Sequence, residues 1–146
     1  MKKCMTFTRG LLVAFVAISA TILVHAQLSQ FDGTWVNVNE NTRNLTTIHI
    51  ETDGEVVRVR AFGRCHPMDC DWGWVDAFAY TADGVGADLA ATASAVVATY
   101  QRGIATTRLI IKFSSPTELT IDTFTKYTDG SDRSNITHSD TMRRDA

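Results

Sequence analysis

The chain has 146 residues, 45 % of them hydrophobic and 21 % charged, with a formal net charge of −2. That length suits a single domain with its own core. The slightly acidic balance argues against a general nucleic-acid binder, whose affinity rests on neutralising phosphates.

The first element in chain order is a leader. M-K-K-C-M-T-F-T-R-G carries Lys2, Lys3 and Arg9 and no acid, and an apolar or small run follows from Leu11 to Val24. The run is short for a membrane span of about 20 residues, and V24-H25-A26 supplies the small residues that a signal peptidase accepts. Residues 1–26 are therefore expected to be a cleaved signal peptide, and residues 27–146 an exported, periplasmic or secreted domain with no further membrane span. Losing three of the 14 basic residues against 16 acidic ones moves the formal charge to −5. Cys4 leaves with the leader, so Cys65 and Cys70 remain as an even pair in an oxidising compartment, where a disulfide is the expected state.

From Gly33 onward apolar and polar residues alternate with period two, in short β-rich runs parted by Gly, Asn, Asp and Pro clusters. The pattern predicts eight strands: 33–38, 46–51, 55–64, 72–81, 96–101, 106–113, 118–127 and 135–143. Turn chemistry in T-D-G-E, A-D-G-V-G, Q-R-G-I, S-S-P-T and T-D-G-S-D joins them, and 81–94 leaves room for a short helix. Such tight connections imply antiparallel neighbours, because parallel pairs need long crossovers. The expected fold class is all-β, an eight-stranded antiparallel up-and-down barrel, with a two-sheet sandwich as the alternative. Closure is favoured because it removes both sheet edges.

The opening strand F31-D-G-T-W35 resembles the Gly-x-Trp strand of the calycins, the lipocalin and avidin group. In that group the Trp closes the barrel floor beneath a basic residue of the last strand. The resemblance implies that Trp35 forms the floor with Arg143 or Arg144 across it. A second segment, G63-R-C-H-P-M-D-C-D-W-G73, resembles a group of small exported bacterial proteins of unassigned function, marked by G-x-C-x-P-x-D-C-D-W-G. Phe62 and Met68 depart from that group, where Trp and Thr would be expected.

The Cys65–Cys70 pair reads as a structural staple closing a short loop, with Pro67 at its tip and Asp69 bonding backbone N–H groups of the turn. Trp72 and Trp74, two apart, are expected on one face, capping the core. A zinc site is disfavoured: a second ligand pair would have to come from His49 and His138 on other strands. The redox spacing C-x-x-C is absent. No cofactor motif, nucleophile elbow or metalloprotease motif is present, and Asp69, Asp71 and Asp76 in turns give no sign of an acid/base pair.

An up-and-down barrel gathers alternate connections at one rim. Under the predicted strands one rim collects Arg43, Arg64, Arg102 and Arg133 with His66, and the other collects Glu51, Asp53, Glu55, Asp83, Asp88 and Glu118. With Trp35 at the floor, the arginine rim is the mouth, and Arg43, Arg64, His66, Trp72 and Arg133 are the candidate ligand-binding residues. Arginines suit a carboxylate or phosphate, so the function expected is binding of a small acidic or amphipathic molecule. A protein-interaction or inhibitor module with a filled core is the alternative, and a hydrolytic enzyme ranks below both. Oligomeric state is not legible here.

Overall fold

Period-two alternation gives each strand one face that must leave water, and eight such strands satisfy this by wrapping around a shared interior. The computed structural model describes residues 27–146; the expected leader, residues 1–26, lies outside the described residues. A 3₁₀ turn at Leu28–Gln30 precedes β1 (Gly33–Asn37), β2 (Leu45–Asp53), β3 (Val56–Gly63) and β4 (Cys70–Thr81). A short helix, α1 (Leu89–Thr92), then leads to β5 (Ala93–Arg102), β6 (Ala105–Ser115), β7 (Glu118–Tyr127) and β8 (Ile136–Arg144). Every neighbour is antiparallel, and β1 pairs with β8 through Trp35 opposite Arg144 and Asn37 opposite Met142. That last ladder closes the barrel and excludes the sandwich.

The helix occupies the stretch whose periodicity was weakest. Asp88 caps it, its carboxylate accepting from Ala90 N at 3.0 Å and Ala91 N at 3.3 Å, as an N-cap aspartate does. β5 starts at Ala93 rather than Val96: a register shift opposite Tyr80 and Thr81 of β4 lets the ladder run on through the alanines, with Ala93 in the core and Ala95 buried.

One end of the barrel is solid. Trp35, Phe31 and Leu28 are fully buried there, with Ile48, Ile50, Leu109, Ile111, Leu119, Ile121 and Met142 above them. Phe113 packs between the rings, 4.6 Å from Phe31 and 5.8 Å from Trp35 between centroids. The indole N–H of Trp35 donates to Phe31 O at 2.9 Å, so its one polar atom is satisfied in burial. The Arg144 guanidinium lies 4.2 Å from the Trp35 ring centroid and donates to Gln30 O at 2.7 Å and to Asp32 O. Arg144 therefore covers the floor tryptophan; Arg143 is exposed, paired with Val36 and Glu118 across the strands. Gly33 makes this possible: its φ is +120°, and a Cβ there would lie 2.5 Å from Arg144 Nη1.

Two bulges shape the other end. Between Arg60 and Phe62 on β3, the facing stretch of β4 holds one residue more, running from Asp71 to Trp74. Gly73, at φ +79°, sits inside that insertion, and the extra residue inverts the in-out phase. Trp72 consequently packs on the core and Trp74 turns outward beneath the Arg58 guanidinium, 5.2 Å from its ring centroid. The expectation that both tryptophans share a face is corrected by this slip. A second extra residue, between Leu45 and Thr47 on β2, lets Leu45 and Thr46 both be buried.

Candidate functional site

Strand direction places the connections β1–β2, β3–β4, β5–β6 and β7–β8 at the end opposite Trp35. A cavity of about 480 Å³ opens there, within the usual range for small-molecule sites. Its cationic lining comes from Arg43, Arg64, Arg102 and Arg133, one from each connection or the strand end beside it. His138 of β8 also lines the space. Among the described residues that line it, none is Asp or Glu. In ring order β1–β2 lies across from β5–β6, so Arg43 and Arg102 approach from opposite sides, as do Arg64 and Arg133.

The four arginines divide by partner. Arg64 donates to Asp69 at 3.4 Å, to Thr42 O at 3.2 Å and to Glu40 O at 2.7 Å, which ties the β3–β4 loop to the β1–β2 loop. Asp69 thus serves Arg64, where the sequence suggested backbone N–H groups of its own turn. Arg133 is bound by Asp129 and lies 4.5 Å from the centroid of Tyr127. Ser131, through its hydroxyl and N–H, and then Arg133 hold the Asp129 carboxyl below its usual range. Arg102 stacks 4.3 Å from the Trp72 ring centroid, and among the described residues neither it nor Arg43 is ion-paired with a carboxylate.

Two unlike walls enclose the space. One is apolar: Leu45, Gly63, the Cys65–Cys70 disulfide and Trp72. The Cα atoms of Cys65 and Cys70 stand 5.4 Å apart, an ordinary disulfide span. Trp72 leans over Gly63, where an added Cβ would come within 3.0 Å of the indole, and meets Tyr100 edge-on at 5.4 Å. Tyr100 is fixed in turn by its hydroxyl donating to Val59 O at 2.9 Å, and burial pushes its phenol above the ordinary pKa. The other wall carries hydroxyls: Thr107, Thr123 and Thr125 on β6 and β7, beside His138.

A buried polar cluster anchors the β1–β2 loop that carries Arg43. Asp140 Oδ1 accepts from Asn37 Nδ2 at 2.8 Å and Thr42 Oγ1 at 3.3 Å, and Asn37 also donates to Leu45 O at 2.7 Å. Among the described residues, two buried side-chain polar atoms have no hydrogen-bond partner, Thr123 Oγ1 and Asp140 Oδ2. They sit on adjacent strands where the hollow end meets the filled one.

Of the candidate residues, Arg43, Arg64, Trp72 and Arg133 meet around the cavity, joined by Arg102, which the sequence placed on this rim but not among the candidates. His66 does not join them: it is exposed on the disulfide loop, outside the lining. His138 and the three threonines were missed as site residues. Their signal was parity, since positions 138, 140 and 142 alternate inward on β8, as do 119, 121, 123 and 125 on β7, yet the residues nearest the mouth are polar. His49, by contrast, faces outward, bonded to Thr34 Oγ1 at 2.8 Å and edge-on to Phe62.

Fold and site together define a class: a closed antiparallel eight-stranded barrel, solid at a tryptophan-sealed floor and hollow at a basic mouth pinned by a disulfide. No protein-family model, curated protein or solved structure matches the chain.

Proposed function

We propose that this is an exported, calycin-like, non-enzymatic barrel that binds a small acidic or amphipathic molecule in its mouth. The observation that carries the reading is the cavity lining, in which four arginines and a histidine converge over an apolar wall without a carboxylate among the described lining residues. In a partly desolvated site, guanidinium groups stabilise an anion by charge-assisted hydrogen bonds. Arg43 and Arg102, without carboxylate partners among the described residues, are the pair left for that anion, and Trp72 with Leu45 takes its apolar part.

Of the carboxylates considered for catalysis, Asp71 supports the non-enzymatic reading. Asp71 is held down to about 2 by its hydrogen bonds with Arg60 and then Gly73 N–H, and a general acid or base acts best with a pKa near the working pH. Export, with the leader removed after Ala26, belongs to the same reading. A protein-contact reading draws on exposed Val56, Phe78 and Tyr80 on the outer face of β3 and β4, but that face lacks the convergence of charge seen at the mouth.

Anilinonaphthalene sulfonate, an anion with an apolar body, is a suitable probe. Its fluorescence should rise saturably with one site per chain, and Arg43→Ala combined with Arg102→Ala should weaken it at least about tenfold, the loss of roughly 1.4 kcal/mol, with circular dichroism unchanged. A non-saturable response, or one indifferent to both substitutions, would remove the proposal. Native mass spectrometry of protein recovered from its own compartment would then name the ligand.

A further inference from the structure

We infer that the cavity selects a hydroxylated organic anion, with its acid group at the arginine rim and a hydroxyl at the inner end against Thr123. The inference rests on the mouth being a ligand site and adds what the inner end recognises.

Thr123 is 6 % exposed and lines the cavity, and its Oγ1 has no hydrogen-bond partner among the described residues. A buried hydroxyl left unpaired costs about 1–3 kcal/mol, so this position is one that a ligand group can repay. The neighbouring hydroxyls do not repay it: Thr107 and Thr125 are bonded to each other at 3.1 Å. The second unpartnered atom, Asp140 Oδ2, is outside the lining, which leaves Thr123 as the residue that meets a ligand.

Thr123 Oγ1 is itself shielded from solvent, so its oxygen does not yet face the open space. In a strand more than one χ1 well is common. Rotation between wells exchanges methyl and hydroxyl, which are nearly isosteric, and turns the oxygen inward. A ligand hydroxyl can both donate to and accept from that oxygen.

Depth fixes the spacing of the two groups. Thr123 lies four positions below Tyr127, the mouth end of β7. At about 3.4 Å per residue and a strand tilt of about 40°, it stands about 10 Å beneath the rim. A chain of eight to ten carbons with an acid at one end and a hydroxyl at the other spans that depth along the apolar wall.

The probes are octanoate and decanoate against their ω-hydroxylated counterparts, each displacing anilinonaphthalene sulfonate from the disulfide-intact protein. The hydroxylated acid of at least one pair should bind about tenfold or more tightly than its parent. Thr123→Val, which keeps the shape and removes the hydroxyl, should abolish that preference. Thr123→Ser, which keeps the hydroxyl, should retain it. Equal binding of parent and hydroxylated acids, with water meeting Thr123 in both, would overturn the inference and leave the anion site standing. Failure of the dye itself to bind saturably would overturn both together. A preference that survives Thr123→Val would overturn the assignment of the inner end to Thr123.

Discussion

Arg60 and Asp71 meet on the outer face of β3 and β4, with Nε to Oδ1 at 3.1 Å. Asp71 also takes the N–H of Gly73 at 2.9 Å, so one carboxylate ties the bulge to the neighbouring strand. Hydrogen bonds from Arg60 and then Gly73 hold its pKa down to about 2, against an ordinary 3.8. Because the folded value lies below the unfolded one, the stabilisation is complete above the ordinary carboxylate range and is lost as pH falls through about 2. Asp71→Asn, which keeps an oxygen for Gly73, should therefore lower the urea midpoint at pH 7 and differ progressively less from the parent as pH falls toward 2. A gap that stays constant over that range would refute the role given to the charge. This pairing was hidden in the sequence, since Arg60 and Asp71 become neighbours through a strand register. Arg144 was half visible: the resemblance of the opening strand to the calycins implied Arg143 or Arg144 across Trp35. Choosing between the two required the β1–β8 register, which sets Arg144 against Trp35.

At the scale of elements, alternation carried the reading and bulges limited it. All eight predicted strands occur, because inward and outward residues differ sharply in polarity over most of each run. A single inserted residue, however, inverts every side chain beyond it, and nothing in D71-W-G-W74 states the phase. Gly73 is the only hint: at φ +79°, with open space for 4 Å around the position a Cβ would take, it is required by backbone conformation and not by crowding. Gly73→Ala should then cost about 1–3 kcal/mol of strain, read as a lower denaturation midpoint. It should also alter tryptophan emission, as Trp72 loses its setting between Tyr100 and Arg102. An unchanged midpoint would mean that β4 accommodates the insertion without help from glycine. The disulfide was legible for a different reason: with Cys4 expected to leave with a leader, the sequence offers Cys65 and Cys70 only each other.

For the molecule as a whole, the deciding feature is that one barrel is built in two halves. Inward residues change size along single strands: Ala105 and Thr107 give way to Leu109 and Ile111 on β6, and Thr125 and Thr123 to Ile121 and Leu119 on β7. The large residues fill the floor end with a buried apolar core, while the small and hydroxylated ones leave about 480 Å³ at the mouth. The gradient is written in the sequence, but it emerges only when inward positions of neighbouring strands are compared at equal height, which needs the register. It also separates stability from binding. Ile121→Ala, in the filled half, should cost about 2–5 kcal/mol through lost burial and the cavity left behind. Ala105→Leu, on the cavity wall, has room for the added carbons, so its denaturation midpoint should stay close to the parent's while affinity for anilinonaphthalene sulfonate falls. Equilibrium denaturation and dye titration of the two variants form the comparison. If Ala105→Leu destabilised the fold as severely as Ile121→Ala, the mouth would be packed core, and the division of labour between the halves would fail.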